Sequence, residues 1–281
     1  MRSWLPLLPA LLVTTVLFGG GLALSVLQSL GYAPALGSPV LSFAAYRELF
    51  ADRAFWQGLA LSAWVAGVST LGAVVLGTGF ALALRSVRAG SAQRFLFGVT
   101  LPIPHAVASV LTLLFLSQSG MLSRVTHALG WTPGPQAFPA LLYGPSGLGV
   151  ILELLWKETP FIGLNVLAAL TQLDPRFQEV ARTLGAGAGT CFRQVTLPLI
   201  RPALLSSGIL VFAYALSSYE VPALLGATSP TTLPVLAYRA FTDTDLTRRS
   251  SAMAISTLLA LLGGGLVWAY VRAQPGFRRK G

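Results

Sequence analysis

Six stretches of roughly twenty or more residues carry almost no charge, and this pattern constrains the fold of the chain more than any other. They run over about 5–27, 57–84, 95–117, 147–171, 202–224 and 251–271. In hydrocarbon every backbone N–H and C=O has to be bonded within its own segment, so stretches of this length read as membrane-spanning helices. Composition closes the alternative. With 54% hydrophobic and 10% charged residues, the chain has too little polar side-chain surface to coat a soluble body. The expectation is an all-α, polytopic membrane protein with six transmembrane helices, one transmembrane domain over 1–281, and both ends on the same side. The first stretch, Trp4 to Leu27, follows a basic start and is longer than a signal-peptide core, so it is expected to be a retained helix.

Orientation follows from the basic residues, which favour the cytoplasmic ends of spans. With both termini in the cytoplasm, Arg2, Arg85, Arg88, Arg94, Arg176, Arg182, Arg193, Arg201, Arg272, Arg278, Arg279 and Lys280 lie inside, opposed only by Asp174 and Glu179. The outer segments balance Arg47, Arg53, Arg124, Arg239, Arg248 and Arg249 against Glu48, Asp52, Asp243 and Asp245. The net charge of +10 therefore expresses topology and contact with anionic lipid, and no nucleic acid is needed to explain it. One cysteine, Cys191, permits no internal disulfide, and with only two histidines, His105 and His127, no metal site is expected. The outer loop 118–145, with its glycines, prolines and Trp131, suits a re-entrant or interfacial element.

Between the fourth and fifth stretches, at about 172–201, lies a different kind of segment. Asp174 before Pro175 is a helix start: the carboxylate can cap, and proline lacks the N–H that the first turn leaves unpaired. Phe177, Val180, Ala181 and Leu184 recur at helical spacing and form an apolar stripe, while Gln178, Glu179 and Arg182 face elsewhere. Gly185 can take the positive φ that ends such a helix, and Leu197-Pro198 follows as a hinge. A short amphipathic helix outside the bilayer, with no soluble domain in the chain to pack on, implies a groove on another protein.

At these residues the chain resembles the permease subunits of type I ATP-binding-cassette importers. Their signature stands here as Glu179-Val180-Ala181, then Gly185, then Val195-Thr196-Leu197-Pro198, with valine in place of the first alanine. Tyr46-Arg47-Glu48-Leu49-Phe50, Leu101-Pro102, Trp156-Lys157-Glu158-Thr159-Pro160-Phe161 and Tyr219-Glu220-Val221-Pro222-Ala223-Leu224-Leu225-Gly226 look like the polyamine and ferric-iron branch. The resemblance implies a coupling helix from Asp174 to about Gly185, set in a cleft of a separate ATPase. It further implies a second permease, identical or homologous, two copies of the ATPase, an extracytoplasmic solute-binding protein, and a place in the bacterial inner membrane. The favoured solute is a polyamine or another small cation; iron, thiamine and phosphonate are alternatives within the class.

No ATP chemistry is expected in this chain. The glycine run Gly185-Ala186-Gly187-Ala188-Gly189-Thr190 lacks the lysine of a phosphate-binding loop, so ATP and magnesium would be bound by the partner and this chain would hold no cofactor or catalytic residue. Charges within spans are expensive and tend to face a cavity, which makes Glu153, Lys157 and Glu158 in the fourth span and Glu220 in the fifth candidates for the solute path, with Trp156, Tyr214, Ser217 and Tyr219 as neighbours; Glu220 can alternatively cap a kink before Pro222 or support the outer gate where the binding protein docks. Glu153 and Lys157 are four residues apart and can alternatively neutralise each other on one helix face. Two readings stand outside the class. Gly144-Pro145-Ser146-Gly147 fits an intramembrane serine protease motif, although it also reads as a turn entering the fourth span, and a secondary carrier would need no ATPase but would show two similar halves.

Overall fold

The computed structural model describes residues 7–32, 41–86, 90–174 and 176–273. Pro175 and the terminal basic residues Arg2, Arg278, Arg279 and Lys280, together with Arg88, lie outside the described residues. All regular structure among the described residues is helical. In chain order the helices are α1 (Leu8–Ser29), α2 (Ala44–Ala51), α3 (Arg53–Ser86), α4 (Ser91–Gly98), α5 (His105–Leu116) and α6 (Met121–Ala128). They continue with α7 (Leu148–Thr171), α8 (Arg176–Thr183), α9 (Ala188–Ser217), α10 (Glu220–Leu225), α11 (Leu233–Phe241) and α12 (Arg248–Ala273).

Among the described residues, five helical segments are long and apolar enough to cross a membrane: α1, α3, His105–Ala128, α9 and α12. The fourth predicted span, α7, has the length but carries Glu153, Lys157 and Glu158. Its charges are tolerable because 14 of its 24 residues are buried against other helices.

Two of the expected spans are interrupted. The stretch 95–117 splits into α4 and α5 around Leu101-Pro102-Ile103-Pro104, because two prolines in three residues remove two donors and push their predecessors out of the helical region. The stretch 202–224 begins earlier and ends sooner than expected. Helical structure runs from Ala188, passes Pro198 and Pro202, and stops at Ser218, which is extended with ψ at 125°. A wide π-type turn at Phe192–Thr196 directly precedes Leu197-Pro198. Such a turn accommodates the carbonyl that proline leaves without a donor, so the chain stays helical there.

The chain divides into two compact units, residues 1–60 with 230–264 and residues 61–229 with 265–281. In the first, Leu49, Phe55, Leu233, Ala237, Ala254 and Ile255 form the core. The Tyr46 hydroxyl meets Ser29 Oγ at 2.8 Å, which ties α2 to the end of α1. Asp245, in the loop before α12, accepts from the Thr247 hydroxyl at 2.7 Å and its N–H at 3.0 Å. These bonds hold its carboxyl below the ordinary aspartate range.

The second unit is built around α7. Ala73 and Ala81 of α3, Ile162, Val166, Leu167 and Leu170 of α7, and Ile200 and Val211 of α9 are its core. Helices α3 and α7 cross at two glycines: a Cβ on Gly77 would stand 2.9 Å from the Gly163 nitrogen and 2.9 Å from the Thr159 oxygen. Small residues at such a crossing let backbones approach closely, which is the usual source of helix association in lipid.

Candidate functional site

Helix α8 is formed as its residues demand. The Asp174 carboxylate accepts the Arg176 N–H at 2.9 Å. At the other end Gly185 has φ +84°, its N–H donates to the Arg182 carbonyl at 2.9 Å, and Ala186 N–H donates to the Ala181 carbonyl at 3.0 Å. That pair of bonds is a Schellman stop, which requires the left-handed conformation that glycine adopts without strain. Phe177 and Val180 are each 57% exposed and Leu184 is 83% exposed, so the apolar stripe is uncovered within this chain. Glu179 and Arg182 are exposed, and Ala181 is half-buried.

One side chain connects this helix to the next. Gln178 is half-buried, and its amide donates to the Thr196 hydroxyl at 3.1 Å. Thr196 is the last residue of the π-type turn, immediately before Leu197-Pro198. The exposed knob is therefore bonded to the widened turn at the start of the long α9 helix.

The residues expected on a solute path fall into two groups. Glu153 and Tyr214 come together around a residue that the spacing of the fourth span does not point to, His105, the first residue of α5. His105 Nδ1 lies 3.4 Å from Glu153 Oε1, and its Nε2 lies 3.2 Å from Glu158 Oε1. The Tyr214 ring is 4.5 Å from the imidazole, centroid to centroid. Glu153 has no exposure at all. Its partner is thus an imidazole of another helix and not Lys157 of its own; Lys157 Nζ donates to the Leu101 carbonyl at 3.2 Å, in the turn where prolines interrupt the span. Trp156 Nε1 donates to Thr112 Oγ1 at 3.0 Å and ties α7 to α5.

Ser217, Tyr219 and Glu220 lie where α9 ends and α10 begins. Ser217 ends α9 and bonds back to the Ala213 carbonyl at 2.8 Å, Tyr219 caps α10, and Glu220 is exposed in the first turn of that helix. A carboxylate there is favoured by the unpaired N–H groups of the helix start. Because the chain leaves the helix at Ser218, Glu220 is not part of a continuous fifth span. The signal for His105 was present in the sequence: a polar ring in an apolar stretch, just after Pro-x-Pro, is a functional candidate by default. What the spacing does not carry is which carboxylates it meets.

Ser146 belongs to the turn that enters α7. Gly147, at φ +68°, is the N-cap residue, and its N–H donates to the Gly144 carbonyl at 3.1 Å. A cavity of about 380 Å³ lies nearby, lined by Ser117, Gln118, Gln136 and Tyr143 among others.

Residues 73–278 match the family described as binding-protein-dependent transport system inner membrane component. Among curated relatives, the putrescine transport system permease protein PotI of Escherichia coli K12 is 28% identical over 202 residues, covering 69% of this chain and 64% of the relative. The chain thus spans just under two thirds of the length of that relative. The diacetylchitobiose uptake system permease protein DasB of Streptomyces coelicolor is 26% identical over 94% of this chain and 84% of the relative. Among solved structures, a chain of a bacterial ABC transporter involved in import of the acidic polysaccharide alginate superposes with a TM-score of 0.78 at 19% identity, covering 96% of this chain and 95% of that one.

Proposed function

The chain belongs to the family of binding-protein-dependent transport system inner membrane components, and on that premise we propose that it forms the membrane path of an importer for a small cationic solute. Its relatives are named as permease proteins, so it is a transport component and not an enzyme, and the protease and carrier alternatives fall with membership of the family. The reading places α8 on the cytoplasmic side, seated in a groove of a separate ATPase that binds ATP and magnesium. Two such ATPases, a second permease and an extracytoplasmic binding protein complete the assembly. Closure of the ATPases pushes the α8 helices together, and the membrane helices follow through Gln178, Thr196 and α9.

The observation that carries the coupling role is the uncovered stripe of Phe177, Val180 and Leu184 on a helix that is capped at both ends. A short helix outside an apolar bundle keeps such a stripe in water only at a cost, which a partner groove removes. The cationic class rests on Glu153, Glu158 and the Tyr214 ring gathered at one place inside the second unit. Relatives named for putrescine and for diacetylchitobiose show that solutes of very different charge occur around this chain, so the solute class needs its own test.

Two measurements test the reading. The solubilised chain with its native partners should retain an ATPase, and Phe177→Asp with Val180→Asp should release it. In proteoliposomes the complete assembly should accumulate a diamine at the expense of ATP in the presence of its binding protein. Uptake and hydrolysis that remain linked in the double variant would sink the coupling role, and uptake confined to neutral solutes would sink the cationic class.

A further inference from the structure

We propose that Glu153 and Glu158 form a buried site for an alkylammonium group, and that the chain's own His105 ring occupies it in this structure. The inference rests on the cationic-solute reading above and deepens it. Two carboxylates of α7 reach one imidazole from opposite sides, Glu153 at Nδ1 (3.4 Å) and Glu158 at Nε2 (3.2 Å). Ionised carboxylates only accept, so the ring is faced by acceptor oxygens at both of its nitrogens. The place suits a cation: it lies between two carboxylates, with the Tyr214 ring 4.5 Å from the imidazole.

The ring does not fill the site. Glu153 is fully buried, and among the described residues neither of its oxygens has a hydrogen-bond donor; the contact to Nδ1 is charge pairing without hydrogen-bond geometry. A buried carboxylate with open acceptor positions is rare and calls for a donor. Lys157, its neighbour one turn on, is committed to the Leu101 carbonyl. An ammonium head brings three N–H donors to a point where the imidazole donates none to Glu153, and its charge suits both the carboxylates and the tyrosine face. The site is also open on one side: the His105 side chain keeps 18% of its exposure and Glu158 keeps 11%, against none for Glu153. His105 stands at the first residue of α5, directly after the proline turn, so its side chain can leave without unwinding the helix behind it.

With two histidines in the sequence, a His127→Gln chain leaves His105 as the single imidazole, and ¹⁵N-imidazole NMR in lipid nanodiscs then reads this ring alone. Adding 1,4-diaminobutane should shift the His105 signals in a saturable way, and 1,4-butanediol should not. Glu153→Gln should reduce the apparent diamine affinity at least tenfold; if that variant is poorly folded by thermal melting, Glu158→Gln carries the same test. A His105 signal indifferent to millimolar diamine, or equally responsive to the diol, overturns the site. The two readings fail separately: diamine uptake with an indifferent His105 removes this site alone, whereas a responsive His105 in an importer of neutral solutes removes only the cationic class.

Discussion

Gly77 and Gly163 decide how closely the two helices at the centre of the second unit approach. A side chain at Gly77 meets backbone atoms at 2.9 Å, and at Gly163 a Cβ would stand 3.1 Å from the Gly77 oxygen and 2.6 Å from Phe97, so neither position has a flexible neighbour that gives way on both sides. Gly77→Val should destabilise the chain by about 1–3 kcal/mol, the usual penalty of overpacking, and lower the midpoint of thermal unfolding in detergent. An unchanged midpoint would mean that the helices do not cross here. Trp156 is a comparable case. Replacing it with Phe keeps a six-membered aromatic ring but removes the pyrrole half of the indole with the N–H given to Thr112, and the expected loss is about 1–3 kcal/mol on the same melting curve. Both effects belong to single residues because each removes or adds one atom group at a defined contact.

At the scale of the element, α8 has a stop that depends on one backbone conformation. Gly185 sits at φ +84° with nothing within 4 Å of a would-be Cβ, so a substitution there meets conformational strain and no clash. Gly185→Ala should cost about 1–2 kcal/mol and speed amide hydrogen exchange across Phe177–Leu184. Gly187→Ala is the matched control. Gly187 is extended at φ −68° and equally open, so exchange in α8 should not change. If both variants exchange alike, the Schellman stop does not hold the helix. The interruption between α4 and α5 is the same kind of feature: an irregular turn inside a membrane protein whose Leu101 carbonyl is met by Lys157.

For the whole molecule, the uneven distribution of arginines predicts a single orientation. Cys191 is the only cysteine and is buried, so Cys191→Ala gives a background without thiols. One cysteine placed at Ala186 should then react with an impermeant maleimide only from the cytoplasmic side, and one placed at Thr244 only from the outside. The reverse pattern, or labelling of both from one side, would overturn the orientation and with it the docking of α8 on a cytoplasmic ATPase.

The apolar stretches and the Glu179 to Pro198 segment determined by themselves that this is a helical membrane protein of the importer permease family, because hydropathy, caps and glycine stops act within a few residues of one another. The same locality made α8 legible, including its Asp174 start and Gly185 end. Only the tertiary structure decided which charges meet. Sequence spacing pairs Glu153 with Lys157, whereas helix packing gives Glu153 to His105, 48 positions away, and Lys157 to the Leu101 carbonyl in the turn that two prolines make. It also decided where spans break, since Pro198 and Pro202 leave α9 helical while Pro102 and Pro104 interrupt the span that contains them. The physical reason is common to both. A buried charge or an orphaned carbonyl is satisfied by whatever donor the fold brings near, and that neighbour is set by packing between helices and not by distance along the chain.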